Sequence, residues 1–295
     1  GANLAEMTNL HIPVPPGFTI STEVCVYFMK HNKYPPGLKS QVLKAINKIE
    51  KNINKRFSDT NNPLLFSVRS GARQSMPGMM ETVLNIGLNR KTIVGLVQQT
   101  KNKRFAFDSY RRLIMMYADV VIEKPNQIYH NNNIRLKLEK RLSLYKKKKG
   151  YIKDIDLNAE DWEMLCRQFK TLISQTLKVQ FPENCMDQLW GGIKAVLHSW
   201  NGKRAVEYRE IEQIPETWGT AINVQCMVFG NMGTSSATGV AFTRNPSTGA
   251  RRFFGEWLQN AQGEDVVAGI RTPAQIYDNT KTDLKTQMPR MYKQL

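Results

Sequence analysis

Cysteine is scarce in this chain, with four among 295 residues. Cys25, Cys166, Cys185 and Cys226 lie far apart, form no C-x-x-C pair and have no histidine cluster nearby. That spacing excludes an ordinary zinc site and the disulfide framework of a small secreted domain. A reducing intracellular compartment is the expected setting, with the cytoplasm ahead of an organelle. Histidine is equally rare. None of His11, His31, His130 and His198 belongs to an H-E-x-x-H pattern, and each is expected to be structural or exposed. Long apolar runs are missing too: no stretch approaches the roughly 18 residues of a membrane span, and no short apolar segment behind a basic start marks a secretory signal. A soluble protein without a membrane partner is expected. Acidic residues are outnumbered, 25 Asp and Glu against 42 Lys and Arg, and the net charge of +17 favours polyanionic partners such as nucleotides, phosphates or nucleic acid. Neither G-x-x-x-x-G-K-[ST] nor G-x-G-x-x-G occurs, so a nucleotide would need a scaffold other than a P-loop or a Rossmann unit.

What the chain does contain is a globular composition, 41% hydrophobic and 23% charged over 33.8 kDa, enough to bury a core without staples. The pattern predicts a short helix at Asn3–Met7, a turn through Pro13, Pro15, Pro16 and Gly17, a strand at Phe18–Ile20 and a helix at Glu23–Met29. Leu38, Val42, Leu43, Ile46 and Ile49 recur at helical spacing among lysines and predict an amphipathic surface helix over 38–55. The run Leu64–Val68 reads as a buried strand that ends in Arg69-Ser70-Gly71 and gives way to a loop of Gly, Ser, Met and Pro. Residues 90–200 are mostly helical in period, as in Phe105, Leu113, Met116 and Val120 or Leu165, Phe169, Leu172 and Ile173.

After Pro215 the period shortens. Ala221–Phe229 and Val240–Thr243 are expected to form a hairpin around Gly230–Gly239, with further strand at Phe253, Phe254 and Glu256–Leu258 and a polar loop at Asn260–Asp265. The fold class expected is α+β, a β-rich lobe drawn from both chain ends around a helical subdomain. Its parts are residues 1–90, 91–200 and 201–295. Residues 131–155 hold nine Lys or Arg and two acids, a local +7 centred on Lys146–Lys149. This reads as a solvated insertion rather than a nucleic-acid platform, because only Tyr145 and Tyr151 flank the lysines.

Several residues could carry chemistry. Arg69, leaving a buried strand, presents a rigid pair of donors suited to phosphate oxygens, and Arg73 could assist; a surface ion pair is the plainer reading of either. In Met76-Pro-Gly-Met-Met80, Gly78 could let backbone approach a phosphate, while Met80 and its neighbours serve equally as core filler. The loop Gly230–Gly239 offers small residues and the hydroxyls of Thr234, Ser235, Ser236 and Thr238 to an anion, or is simply a flexible turn. Glu264 and Asp265 are adjacent carboxylates suited to ribose hydroxyls or metal-bound water, or to a surface turn.

Taken together, Gly1–Met7, Ser67–Asn85, Asp108–Arg112, Val224–Pro246 and Ala261–Pro273 resemble the nucleotide-binding domain of the pyruvate, phosphate dikinases, in that family's order along nearly the whole chain. The phosphoenolpyruvate synthases, the alternative dikinase group, share the Val-Arg-Ser start but not the continuation Gly71-Ala-Arg-Gln-Ser-Met-Pro-Gly-Met-Met80. The resemblance implies an ATP-grasp-like fold in which two lobes hold ATP and Mg²⁺ beneath a glycine-rich hairpin. It places Arg69 on the ATP phosphates, Gly78, Thr238 and Gly239 over them, and Glu264 with Asp265 facing the nucleotide. Gln225 and Met227 become secondary candidates for the adenine side, beside Arg73 and Met80.

The family reaction turns ATP, phosphate and pyruvate into AMP, pyrophosphate and phosphoenolpyruvate through a phosphohistidine on a separate swivelling domain. None of the four histidines matches that residue's motif. ATP and phosphate are the implied partners, together with the phosphohistidine and pyruvate-binding domains of a longer chain and a homodimer formed through other domains. The chain opens at the last glycine of the family's Gly-Gly-Lys-Gly-x-Asn-Leu-Ala-Glu-Met motif and stops before its Asp-x-Glu and Gln-x-Arg segments. It is therefore read as an incomplete domain that contains neither the catalytic histidine nor a metal site and is inactive alone. A basic RNA-binding protein is the rival from another class; nucleic acid is not expected as a partner.

Overall fold

The computed structural model describes residues 1–124, 133–267, 271–278 and 280–295. His130, the first two residues of the basic stretch 131–155 and three residues of the Ala261–Pro273 motif lie outside these. Two compact units are present, Gly1–Met227 and Val228–Leu295.

The first unit opens with α1 (Ala2–Asn9), β1 (Gly17–Ile20), α2 (Thr22–His31) and α3 (Leu38–Ile53). Leu38, Val42, Ile46 and Ile49 of α3 are buried as the spacing predicts, whereas Leu43 is half exposed, one step off that stripe. Next come β2 (Arg56–Phe57), β3 (Pro63–Leu64), β4 (Phe66–Gly71) and β5 (Thr82–Ile86). The expected single strand Leu64–Val68 is therefore two. Leu64 pairs with Phe57 in a small parallel ladder, while β4 runs on through Arg69, Ser70 and Gly71 because it is hydrogen-bonded on both edges.

The helical layer consists of α4 (Thr92–Thr100), α5 (Lys103–Tyr117), a π-helical turn (Ala118–Glu123), α6 (Ile134–Lys149), α7 (Ala159–Leu177), α8 (Cys185–Ser199) and α9 (Lys203–Ile211). Asparagine starts four of these helices. Asn102, Asn133, Asn158 and Asn184 each accept a hydrogen bond from a first-turn N–H, and Asn158 with Asp161 closes a reciprocal capping box. Trp162, Phe169, Phe105 and Leu113 fill the seam between α5 and α7. The stretch read as a solvated insertion is largely α6. Its Ile134, Leu138 and Leu142 are buried, so a stripe spaced at four, hidden among lysines, anchors it.

The unit closes with β6 (Ala221–Cys226), and the four-stranded sheet has the order β1-β6-β4-β5, antiparallel throughout. One face carries Val68, Ile222, Val224 and Ile86, all fully buried, and α8 lies against it with Gly192 close to Val68 and Ile86.

The second unit holds β7 (Ala237–Phe242), β8 (Phe254–Gln259), α10 (Gly263–Val267), β9 (Ala274–Gln275), α11 (Leu284–Gln287) and α12 (Pro289–Gln294). Its sheet runs β7-β8-β9, and Trp257, Ile276 and Leu284 form its core. The expected hairpin between residues 221 and 243 is therefore absent. Both edges of β6 are taken by β1 and β4, so β7 pairs with β8 instead. Asn260–Asp265, expected as loop, enters α10, which carries Glu264 and Asp265 in its first turn.

Candidate functional site

The sheet face opposite α8 is polar. Register places Thr19 beside Asn223, Asn223 beside Arg69 and Arg69 beside Thr82, so one row crosses all four strands on a single face. Thr19 donates its hydroxyl to Asn223 Oδ1 at 2.8 Å, which fixes the amide with its nitrogen turned away from β1. Thr19 and Arg69 are exposed, while their backbone neighbours Ile20 and Val68 are buried. Gly17, Gln225 and Ser67 form the next row on the same face. Gln225 Nε2 donates to the Pro15 carbonyl at 3.0 Å, and Ser67 Oγ donates to the Gln225 carbonyl at 3.2 Å. Met227 follows β6 and donates its N–H to the Leu65 carbonyl.

Residues 72–81 join β4 to β5 beside this row. Met76 is buried and accepts the N–H of Met79, and between them Gly78 takes φ +73° with no atom near its missing side chain. Only a residue free to adopt a left-handed backbone suits that exposed turn. Arg73 lies 5.5 Å over the Trp218 ring. Its charge also acts on Glu23, whose carboxyl is held below its usual range, first by the Ser21 hydroxyl and then by the Glu23 N–H. Met80 is half buried, with its sulfur 3.9 Å from Ser199 Oγ.

Chemically, the row offers a guanidinium, an amide and two hydroxyls and no thiol or imidazole. It is suited to holding oxyanions rather than to attacking them. The four cysteines are all free and buried. His11 and His31 are exposed, and His198 is half buried edge-on to Phe28, its pKa lowered by burial and then by Lys194.

Residues 33–291 match the family described as the pyruvate phosphate dikinase AMP/ATP-binding domain. The chain belongs to that family. It is 49% identical to the pyruvate, phosphate dikinase of Clostridium symbiosum and 50% identical to that of Rhizobium meliloti, over 100% and 99% of its length. It is 48% identical to the chloroplastic dikinase 1 of Arabidopsis thaliana over its whole length. These alignments cover 32%, 32% and 29% of the relatives, so the chain spans about a third of the curated proteins it matches.

Within this family domain, the sequence candidates fall into two sets. Arg69, Arg73, Gly78, Met80, Gln225 and Met227 belong to the first unit, on β4, its connection to β5, and β6. Arg69 lies inside its strand rather than at the end, since β4 continues to Gly71. Thr238, Gly239, Glu264 and Asp265 belong to the second unit. Thr238 and Gly239 are strand residues opposite Leu258 and Trp257, not loop residues. A Cβ on Gly239 would lie 2.5 Å from the Glu256 carbonyl oxygen, so strand pairing alone demands glycine there. Asp265 is buried and accepts the Gln262 N–H at 2.9 Å, which ties it to the start of α10.

The loop before β7 is anchored as well. Gly230 O accepts from Ala261 N–H, Ser236 O from Asn260 N–H, and Thr234 O from Gln259 Nε2. Small side chains suggested a loose turn; the backbone supplies the tether. Thr19, Asn223 and Thr82 escaped the sequence reading. Their signal was the period-two alternation of Asn223 and Gln225 with Ile222 and Val224, which marks a strand with one polar face.

Proposed function

We propose that the row Thr19-Asn223-Arg69-Thr82 receives the phosphates of ATP and that the chain is the ATP-binding part of a pyruvate, phosphate dikinase. The observation that carries this is the placement of Arg69. An exposed guanidinium stands at the middle of a rigid four-stranded sheet, beside an amide held by Thr19, in a chain of an AMP/ATP-binding family. In this reading the guanidinium grips a pair of phosphate oxygens. Gly78 brings backbone N–H groups close, and Arg73 adds long-range attraction. Met80 and Met227 pack on the base. Gln225, whose amide already bonds Pro15, is a secondary contact on the adenine side through the methylenes of its side chain.

Thr238, Gly239, Glu264 and Asp265 are proposed as further nucleotide contacts carried by the second unit. ATP-grasp-like is the fold proposed, with residues 91–200 as its helical support. Magnesium is implied by the family's chemistry. Among the described residues no group of three His, Cys, Asp or Glu could hold a metal ion, so no step is routed through one here.

The overall reaction proposed takes ATP, phosphate and pyruvate to AMP, pyrophosphate and phosphoenolpyruvate. Phosphohistidine and pyruvate-binding functions, and a homodimer contact, belong in this reading to the two thirds of the relatives' length that this chain does not match. Amide exchange with and without a non-hydrolysable ATP analogue tests the site. Protection should rise in β4, residues 72–81 and β6; a footprint confined to other elements would overturn it.

A further inference from the structure

We propose that the outward face of α6 docks on an anionic lipid surface. The inner stripe of α6, Ile134, Leu138 and Leu142, is buried against the helical layer. At 100° per residue, Leu136, Lys140, Leu144 and Lys147 share the opposite face, along a line about 12 Å long from leucine to leucine. Leu136 is 53% exposed and Leu144 55% exposed, and both lysines are exposed. One exposed leucine is ordinary. Here two share a line with lysines. Beyond the Gly150 cap the chain also presents Ile152 at 83% and Ile155 at 63% exposure.

Charge around this face is only partly neutralised. Arg135 is taken by Glu139 at 3.0 Å and Asp119 at 3.5 Å, Lys146 by Asp154 at 2.8 Å, and Lys149 lies 4.0 Å from Asp161. Lys140, Arg141, Lys147 and Lys148 are exposed and form no ion pair among the described residues. Nucleic acid would account for the charge but not for the leucines. Its single-stranded forms reward stacking rings, and Tyr145 here turns its hydroxyl inward to Asp161 at 2.6 Å. A bilayer with anionic headgroups uses both features, since aliphatic tips enter the acyl boundary while lysine stems reach back to the phosphates. No described helix is long and apolar enough to cross a membrane, so the contact is one of lying on the surface.

This face is carried by the helical layer and shares no element with the Arg69 row, so it stands apart from the nucleotide reading. The test is co-sedimentation of the 295-residue chain with sucrose-loaded vesicles, either phosphatidylcholine alone or with about 30% phosphatidylserine, in about 0.1 M salt. Parent protein should pellet with the anionic vesicles only and be released at high salt. The triple variant K140Q/K147Q/K148Q should partition about a hundredfold less, from about 1 kcal/mol per lysine. L136S/L144S, in which only exposed side chains change, should fold as the parent and partition about tenfold less at unchanged charge. Parent protein that fails to pellet with anionic vesicles overturns the proposal. So does an L136S/L144S variant that pellets like the parent or a parent that prefers single-stranded RNA, either of which would make the face a polyanion site.

Discussion

Replacing Gly239 by alanine separates two roles that the residue could have. A Cβ there would sit 2.5 Å from the Glu256 carbonyl oxygen and 3.2 Å from both Cα and Cβ of Trp257. These obstacles belong to β8, which is held between β7 and β9 and cannot retreat from one neighbour without disturbing the other. Forcing an extra methyl into such packing costs about 1–3 kcal/mol. Loss of glycine's freedom in the unfolded chain returns about 0.4–1 kcal/mol. The net expectation is a loss of about 1–2 kcal/mol without any ligand, or a fall in melting temperature of about 5–15 °C for a unit this small. Amide exchange through β7 and β8 together with a thermal melt would measure it. If Gly239→Ala leaves both unchanged in the absence of nucleotide, the steric argument fails and only a contact with ligand would account for the glycine.

Asp108 and the cysteines give two further expectations. Burial acts to raise the Asp108 carboxyl, but Arg111 and Arg112, at 3.1 and 3.2 Å, outweigh it and hold the group below its usual range. The stability it contributes is therefore present above about pH 4 and lost as acid protonates the folded carboxylate. Asp108→Asn should cost about 3–5 kcal/mol at neutral pH and flatten the acid limb of a pH–stability curve; a variant with the parent's acid limb would refute the assignment. Burial also raises the thiols, Cys226 to about 11 and Cys166 further, and all four are buried. A thiol reagent should label the native chain slowly and reach four equivalents only in denaturant. Rapid native labelling of any one would contradict the packing around it.

Helices were the most legible elements in the sequence, because a stripe at three and four survives in any tertiary context. Leu38, Val42, Ile46 and Ile49 are buried as the stripe requires. Strand partners were not legible. Ala221–Cys226 was readable as a strand, but the choice between β7 and the pair β1 and β4 depends on edges supplied by strands far upstream in the chain. The polar end of β4 misled for a related reason: Arg69-Ser70-Gly71 looks like a strand stop, yet a strand paired on both sides can carry polar residues on its open face. β5 was missed within a segment that reads as a site loop, although Thr82, Val83 and Ile86 favour a strand. Arg69 itself was found by its neighbours in sequence; Asn223 and Thr19 needed register, which only the folded sheet reveals.

The central claim is that Arg69 holds nucleotide phosphates on the open sheet face. Titration of the chain with a fluorescent ATP analogue, parent against Arg69→Ala, with thermal melts of both, tests it most directly. Arg69 is exposed, so its truncation should leave the melting temperature within a degree or two. Loss of a charge-assisted pair of contacts, about 1.5–3 kcal/mol, should weaken binding roughly ten- to hundredfold. Equal affinity for parent and variant, with both folded, would contradict the account and move the nucleotide away from this face.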